Sequence, residues 1–338
     1  MSARQERIPG AAPRPSTRWL PALLLLLTVV GAVLVLPMVT HDQGARSWYR
    51  GLLGGSGLYR LDVAFARLAP FILAAGVCLA LIVRGRGRRH VLVVGTSLRR
   101  HEWSEVVTHW ANAAGIGIGL ITAAWLKRWI GRPFSLETTY LLHFIGAGLT
   151  LAAVAYHLTF ELAGGGAGLV PRRLADVKNA LAEVISYTGV YRGLRGAFGV
   201  QLPPVIRRPL QKPLRALKLA PDPPGKYLAT EKVLSYTIWT VLIAIIVLTG
   251  LVKSLHYVFA MPAGLRQAAT FLHDGATLFI LAFLCIHVAA LVLVPRNWPL
   301  VGSMFTTRVP RAYAKHHLPG WEAEAEREED ARGASRIL

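Results

Sequence analysis

The fold is decided by two similar stretches, LLHFIGAGLTLAAVAYH at residues 141–157 and FLHDGATLFILAFLCIH at residues 271–287. In each, two histidines stand fourteen residues apart, His143 with His157 and His273 with His287. Because an α-helix has 3.6 residues per turn, both histidines of a pair face one side of their helix, about 21 Å apart along its axis. Histidine within hydrocarbon is costly and is a functional candidate by default. The spacing therefore predicts two haem groups, one near each membrane surface.

The composition is that of a membrane protein. Hydrophobic residues make up 53% of the 338 residues, charged residues make up 17%, and the mean hydropathy is +0.42. These values are too apolar for a soluble domain of this length. The net charge of +20 does not indicate a nucleic-acid partner, because Lys and Arg lie in loops between apolar segments, where they set membrane orientation. Cys78 and Cys285 lie within apolar segments and no CxxC motif occurs, so neither a disulfide framework nor a covalently attached haem is expected.

The apolar segments predict an all-α membrane protein with about six transmembrane helices. Six runs approach or exceed about 20 residues, the length that crosses the hydrocarbon of a bilayer. The first run follows a basic leader and could be a signal peptide, but its apolar core is long and no clean A-x-A site follows, so a retained anchor is preferred. The predicted spans are residues 19–39, 63–83, 107–127, 138–161, 231–253 and 269–294.

Basic residues predict the orientation. Lys and Arg concentrate in the leader, in the 84–101 connection and in the 162–230 connection, which lie on one side if six spans alternate. That side is expected to be the cytoplasm of a bacterium, with both termini there and the chain multi-pass in the inner membrane. The opposite loops carry fewer basic residues, although Arg128 and Arg132 lie among them.

The connections and the tail are interpreted by composition. Residues 174–195 are predicted to form an amphipathic helix on the membrane surface, and the Pro-rich basic stretch after them is not expected to be one continuous element. Anionic lipid would attract its basic residues. The charged tail is predicted to be disordered. The predicted parts are a leader with two helices at 1–102, the first half of the core at 103–161, a basic loop at 162–228, the second half of the core at 229–321 and the tail at 322–338.

The histidines form two layers in this topology. His143 and His273 lie at the outer ends of their spans and form one possible pair. The cytoplasmic layer has three candidates, His109, His157 and His287, for two axial positions. Bis-histidine ligation of a b-type haem suits electron transfer, because it leaves no open position on the iron. Histidine chains also line proton or metal paths, so a non-haem transporter or anchor stays open as an alternative.

Glycines follow several of these histidines. Small residues beside a ligand allow a porphyrin to approach the helix, but they also serve ordinary packing of membrane helices. Both interpretations stay open from the sequence. The glycines concerned are Gly115, Gly117, Gly119, Gly146, Gly148 and Gly275.

Ordered motifs carry a family resemblance from about residue 103 to residue 321. They are Thr108-His109-Trp110, His143, Gly225-Lys226-Tyr227, Leu248-Thr249-Gly250, the helix with His273 and His287, Ala314-Lys315-His316-His317, and Trp321. In this order and spacing the chain resembles the di-haem cytochrome b (gamma) subunit of membrane-bound formate dehydrogenases. That family is related to the cytochrome b subunits of nickel–iron hydrogenases and thiosulfate reductases. The resemblance implies a four-helix haem-binding core.

The resemblance also implies the ligands. It assigns the outer haem to His143 and His273 and the cytoplasmic haem to His109 and His287. His157 then becomes a neighbour of the quinone site or of a haem propionate, or a passive residue. The alternative pairing, in which two helices each supply both ligands, uses His157 instead of His109.

A quinone site is implied near the cytoplasmic haem, in the segment before the third core helix. Its candidates are Lys226, Tyr227 and Glu231, with His157. The family has Asn, Gly and Gln where this chain has Leu228, Thr230 and Glu231, and Glu231 is a candidate proton carrier.

The implied function is to anchor a larger redox enzyme. Electrons would pass between an iron–sulfur subunit, fed by a catalytic dehydrogenase or hydrogenase subunit, and the quinone pool. A stand-alone cytochrome b561-like reductase is the alternative that keeps both haems. The cluster of Arg311, Lys315, His316 and His317 is interpreted as a stop signal for orientation. No role is assigned to His41, His90, His101 or His256.

Overall fold

The fold is mainly helical in the part of the chain that the structure, a computed structural model, describes. That part comprises residues 20–40, 58–85, 93–162, 169, 171, 174–191, 200–219 and 222–337. The helices are α1 Leu20–Thr40, α2 Leu58–Gly85, α3 Trp103–Leu126, α4 Leu136–Phe160, α5 Leu174–Ser186, α6 Pro204–Ala216, α7 Thr237–Leu255, α8 Ala263–Val292, α9 Trp298–Thr306, α10 Arg311–His317 and α11 Pro319–Ile337. A π-helical segment, Glu231–Tyr236, leads into α7.

The predicted spans are confirmed as helices. Within the described residues, five helices are long and apolar enough to cross a membrane, namely α2, α3, α4, the π-helical segment with α7, and α8. The apolar helix at Pro21–Val33 within α1 is shorter. The chain is therefore an all-α, multi-pass membrane protein.

Local signals fix where α3 and α4 begin. The side chain of Ser135 accepts a hydrogen bond from the backbone N–H of Thr138 at 3.1 Å. Glu102 and Glu105 form a reciprocal capping box before α3. Such caps satisfy N–H groups that have no partner within a helix. They therefore fix the first turns of the two helices that carry His109 and His143.

Glycines set the contacts between three of the long helices. A Cβ added at Gly115 of α3 would lie 2.7 Å from the carbonyl oxygen of Gly146 in α4. A Cβ at Gly76 of α2 would lie 2.5 Å from the carbonyl oxygen of Ala152 in α4. Close approach at small residues is how membrane helices associate. Here it lets α4 pack directly against α2 and α3.

Two apolar clusters join the remaining helices. Phe65 and Ala69 of α2 pack with Leu151 of α4, and side chains of α7 contact this cluster. Ile116, Ile243 and Ile280 join α3, α7 and α8 in a second cluster. As a result α3, α4, α7 and α8 surround a common interior, with α2 packed across α4 and α7.

A small non-membrane unit forms where several connections meet. Strands β1 Val93–Val94, β2 Ser97–Arg99 and β3 Arg308–Pro310 make an antiparallel sheet in the order β1-β2-β3, with Leu98 opposite Val309. Both side chains are fully buried in a cluster with Leu318 and Trp321. The segment before the first core helix therefore pairs with the segment after the last one.

One sequence prediction about an irregular segment is wrong. The tail is predicted to be disordered, but α11 is helical, with Trp321 and Ala325 buried against the sheet unit. Glu322 also accepts a hydrogen bond from Arg311 at 2.6 Å. The Pro-rich stretch contains the helix α6, with Pro204 in its first turn and Pro209 and Pro213 inside it, and this helix ends at Ala216, before Pro223 and Pro224. The helix predicted at 174–195 is present as α5, which ends at Ser186.

Candidate functional site

His143 of α4 and His273 of α8 face each other near the outer ends of their helices. Their ring centres are 6.4 Å apart and the ring planes are inclined by 66°. A metal-bound imidazole nitrogen lies about 2.0–2.1 Å from the metal, and the centre of its ring lies about 1 Å further away. Two imidazoles on opposite sides of one metal therefore have ring centres about 6 Å apart. The spacing of this pair therefore fits axial ligation of one iron.

A threonine fixes the tautomer of each ring. The Thr122 hydroxyl lies 2.9 Å from Nδ1 of His143 and 2.7 Å from the carbonyl oxygen of Ile118. A threonine hydroxyl within a helix commonly gives its single proton to the carbonyl oxygen four residues earlier, which leaves its oxygen to accept from the Nδ1–H of His143. The lone pair of His143 is then on Nε2, the form that binds a metal.

The same arrangement occurs at the facing ring. Thr249 of α7 donates to the carbonyl oxygen of Ile245 at 2.6 Å and lies 3.0 Å from Nδ1 of His273. By the same argument it accepts from the Nδ1–H, and Nε2 of His273 carries the free lone pair. Both rings are thus prepared as neutral ligands by groups on the neighbouring helices α3 and α7.

A cavity lies around this pair. Its volume is about 1170 Å³, and its lining comes from α2, α3, α4, α7 and α8. Pockets for drug-sized ligands are typically about 300–1,000 Å³, so this cavity is large enough for a macrocycle. Gly119 and Gly275 line it, and a Cβ added at either would meet no atom within 4 Å. The space, the two prepared ligands and their separation together fit a haem.

The glycines separate into the two interpretations that the sequence left open. Gly115 and Gly146 bring α3 and α4 into close contact, and a Cβ added at Gly148 would lie 3.5 Å from Ile72 of α2. Gly115, Gly119 and Gly275 line the cavity, but only Gly119 and Gly275 have free space beside them. These two positions therefore provide room for a bound macrocycle.

Charged groups surround the outer part of the cavity. Lys127 and Asp274 form an ion pair, and Lys253 and Arg266 also line the cavity. Cationic side chains bind carboxylates through short, charge-assisted hydrogen bonds. This side of the cavity can therefore hold the carboxylate groups of a bound cofactor.

The other three histidines lie in the second layer, which is predicted to be the cytoplasmic one. His109 lies within electrostatic range of His287, and its ring meets Trp110 edge-on at 5.5 Å. The ring of His287 stacks on Phe283 at 5.9 Å. His157 differs, because its Nε2 forms a 3.0 Å hydrogen bond with the hydroxyl of Tyr236. His157 therefore already has a protein partner on the nitrogen that His143 and His273 leave free.

The predicted quinone-site residues gather around a buried arginine. The Arg100 guanidinium donates to both carboxylate oxygens of Glu231 at 2.7 Å. Glu231 also accepts from the backbone N–H of Leu228 at 2.9 Å. The buried ring of Tyr227 lies 5.4 Å from the Arg100 guanidinium and 5.1 Å from the Lys226 ammonium. Lys226, Tyr227 and Glu231 thus form one cluster, in which Glu231 is ion-paired.

One donor and one acceptor lie beside this cluster. Burial raises the pKa of the Tyr227 phenol far above its usual range, so its O–H stays available as a donor. Burial lowers the pKa of His101, although the hydrogen bond to Glu105 opposes this. Because Nδ1 of the neutral ring faces the Glu105 carboxylate and donates to it, Nε2 carries a lone pair, and this buried atom has no hydrogen-bond partner within the described residues. The His101 ring is 6.1 Å from the Tyr227 ring, so a hydroxyl donor and an imidazole acceptor lie side by side.

Several residues of these sites were not predicted from the sequence. His101 was assigned no role, Arg100 was counted only as a basic loop residue, and Thr122 was not singled out. Arg100 is 131 residues from its partner Glu231, and Thr122 is 21 residues from His143 on another helix. The sequence signal for Thr122 is its position on the adjacent helix, at the same predicted depth in the membrane as the ligand His143.

Comparison with known proteins identifies the family. The sequence model described as prokaryotic cytochrome b561 matches residues 100–307, which is more than half of the chain and extends from just before α3 to just after α9. Neither a curated protein nor a solved structure matches the chain closely enough to count as similar. The chain therefore belongs to the prokaryotic cytochrome b561 family and is a membrane cytochrome b that binds haem b and transfers electrons.

Proposed function

We propose that the chain is the di-haem cytochrome b subunit of a membrane-bound oxidoreductase, similar to the gamma subunit of formate dehydrogenases. It would pass electrons between an iron–sulfur subunit and the quinone pool. The observation that carries the proposal is the pair His143 and His273, facing across a cavity at 6.4 Å with threonine-fixed tautomers. Haem b, when bound, supplies reversible one-electron transfer.

The outer haem would be held by His143 and His273. Thr122 and Thr249 keep both rings in the ligating tautomer. Lys127, Lys253 and Arg266 would hold the propionates. This set uses residues from α3, α4, α7 and α8, so the site is complete only when the core helices have assembled.

The cytoplasmic haem would be held by His109 and His287. Support comes from the hydrogen bond between His157 and Tyr236, which engages the alternative ligand. His273 and His287 share one face of α8, with a rise of about 21 Å between them. Two haems at these levels would bridge much of a hydrocarbon core of about 30 Å.

Quinone would bind near the Arg100–Glu231 cluster. The Tyr227 hydroxyl can donate a hydrogen bond to a quinone oxygen, and Nε2 of His101 can accept one from a quinol hydroxyl. The positive charge of Lys226 would stabilise the more negative oxygen of a reduced quinone. Glu231 is best explained as the partner that keeps the buried Arg100 charge satisfied, since an unpaired buried charge is strongly destabilising.

The quinone site is tested with Tyr227→Phe. This change removes the hydroxyl and keeps the ring beside Arg100 and Lys226. We expect the rate of haem reduction by quinol to fall about tenfold or more, while haem content stays at two per chain, because the proton-carrying hydrogen bond is lost. Leu234→Ala, at an exposed position of the same segment, is the control. An unchanged rate in Tyr227→Phe would place quinone elsewhere.

The partners would be an iron–sulfur electron-transfer subunit and a catalytic dehydrogenase or hydrogenase subunit. The resemblance to formate dehydrogenase gamma subunits supports an extracytoplasmic partner that delivers electrons to the outer haem. Membrane lipid is the remaining partner. No nucleic-acid partner is proposed.

The haem count tests the whole proposal. The chain is purified in mild detergent, and a dithionite-reduced minus oxidised spectrum is recorded together with a pyridine haemochrome assay. Two b haems per chain are expected, with His143→Ala or His273→Ala losing one haem and His109→Ala or His287→Ala losing the other. A colourless protein would contradict the proposal and favour a transporter or anchor with an intramembrane histidine path.

The second candidate is a stand-alone membrane reductase. The family description, cytochrome b561, favours it as much as it favours a subunit. Affinity purification of the tagged chain from its own membranes separates the two. An iron–sulfur protein recovered in equal amount supports the subunit function, whereas a di-haem protein that reduces an acceptor with quinol and has no such partner supports the reductase.

A further inference from the structure

Asp62 is an acidic residue of α2 that lines the cavity between His143 and His273. Helix α2 precedes residues 100–307, the region that defines the family in this chain. Phe65, one turn further along α2, lines the same cavity. A helix outside the family region therefore contributes a carboxylate and an aromatic ring to the outer site.

The packing of α2 fixes the position of Asp62. Phe65 stacks on Phe144, the residue after His143, with ring centres 4.9 Å apart. Further along, Gly76 lets α2 approach the backbone of α4 at Ala152. These contacts hold both halves of the helix against α4. Asp62 thus stays on the cavity side instead of turning toward lipid.

Lys253 of α7 lines the same cavity as Asp62 and carries the opposite charge. Lys253 in turn interacts with Asp274 and Lys127, which are paired with each other. The other charged or titratable side chains lining the cavity are Arg266 on α8, Tyr140 on α4, and His256 and Tyr257 after α7, besides the two ligand histidines. Asp62 is the carboxylate among them that comes from α2.

We infer that Asp62, which lines the cavity together with Lys253, is a positioning residue that sets the redox potential of the outer haem, and that α2 is part of this haem site. The inference rests on the proposed outer haem. Oxidised haem carries one more positive charge than reduced haem, so a nearby carboxylate stabilises the oxidised form. The effect is strong in a membrane interior, where charges are poorly screened. Asp62 therefore lowers the potential and Lys253 raises it.

Redox titration of the purified protein tests this inference. Asp62→Asn should shift the midpoint potential of the outer haem upward, changing its reduced-to-oxidised ratio several-fold at a fixed potential, while the cytoplasmic haem is unchanged. The outer haem is identified as the transition that is absent in His143→Ala. Glu137→Gln is the matched control, because Glu137 is an exposed carboxylate near the outer end of α4 that does not line the cavity.

Lys253→Met is the second variant and should shift the same transition downward. It keeps the inference testable if Asp62→Asn does not assemble. An outer-haem potential that moves no more than in Glu137→Gln, or equal shifts of both haems, would overturn the inference. If the proposed function itself is wrong, the wild-type protein has no haem redox transition that His143→Ala removes, and this result is distinct from the two above.

Discussion

At the scale of single residues, the hydroxyls of Thr122 and Thr249 decide which imidazole nitrogen can bind iron. Each hydroxyl uses its proton on a carbonyl oxygen of its own helix and accepts the Nδ1–H of a histidine. Such a hydrogen bond makes the ligating nitrogen more basic and holds the ring in place. Outer-site chemistry therefore depends on two side chains that would not touch the iron.

Thr122→Val and Thr249→Val should each weaken the outer haem site. Removing a hydrogen bond of this kind typically lowers metal affinity about 10-fold to 100-fold. We expect partial loss of the outer haem on dilution and a higher midpoint potential in what remains, because the ligand is less basic. The measurement is haem occupancy against protein concentration, with redox titration.

Thr122→Ser and Thr249→Ser are the matched controls. Serine keeps a hydroxyl and should keep the occupancy near that of the wild type. A valine variant that behaves like its serine counterpart would show that the hydrogen bond has no part in holding the ligand.

His157→Ala should leave two haems bound. In the structure its Nε2 is engaged by Tyr236, so its loss removes a hydrogen bond and not an axial ligand. The pyridine haemochrome assay gives the count, and Tyr236→Phe, which removes the same hydrogen bond from the other side, is the companion variant. If the cytoplasmic haem is lost in His157→Ala but retained in His109→Ala, the ligand assignment is wrong.

At the scale of elements, the contact between α3 and α4 depends on two glycines. Gly115→Ala would bring a Cβ to 2.7 Å from the carbonyl oxygen of Gly146, so the helices must separate. Overpacking of this kind costs typically about 1–3 kcal/mol. We expect a lower melting temperature in detergent and earlier release of haem on heating.

Gly117→Ala is the control for this change. It lies on the same helix, and its added Cβ meets no atom within 4 Å. Alanine also has a higher helix propensity than glycine, so this variant should be as stable as the wild type or more stable. Equal destabilisation by both changes would mean that the close contact between α3 and α4 is not what stabilises the pair.

Some of these elements can be predicted from the sequence alone and others cannot. Hydropathy predicts the long helices well, because every turn of a span must be apolar whatever it contacts. Histidine spacing predicts the outer pair, since residues fourteen apart share a face of an unbroken helix. Helix α11 was not predicted, because a charged segment folds here only through burial of Trp321 against a distant sheet. The Arg100–Glu231 pair was missed for the same reason, since its contact spans 131 residues.

At the scale of the whole molecule, the small sheet constrains the topology. Strand β2 precedes α3 and strand β3 follows α8 and α9, and the two are hydrogen-bonded. Leu228, which precedes α7, packs into the same cluster. These three connections must lie on one side of the membrane, which requires α3, α4, α7 and α8 to alternate in direction. The pairing of β2 with β3 supports the alternating helix directions inferred from the basic loops. Which side of the membrane faces the cytoplasm is predicted from the basic residues alone.

Cysteine labelling tests the absolute side. Cys78 and Cys285 are the only cysteines, so their replacement by Ala gives a background without thiols. In that background Arg132→Cys, in the loop between α3 and α4, should react with a membrane-impermeant maleimide in spheroplasts. Lys315→Cys, on α10, should react only after the membrane is opened. Both residues are exposed, so access of the reagent to the side chain does not limit either reaction.

The reverse labelling pattern would have a chemical consequence. It would place the Tyr227 cluster on the extracytoplasmic side, so protons exchanged with quinone would enter or leave there, and the outer pair His143 and His273 would face a cytoplasmic electron donor. With the expected pattern, the proposed di-haem chain would take electrons from outside and protons from the cytoplasm when it reduces quinone. That direction would separate charge across the membrane, because electrons moving inward between the two proposed haems would meet protons supplied from the cytoplasm.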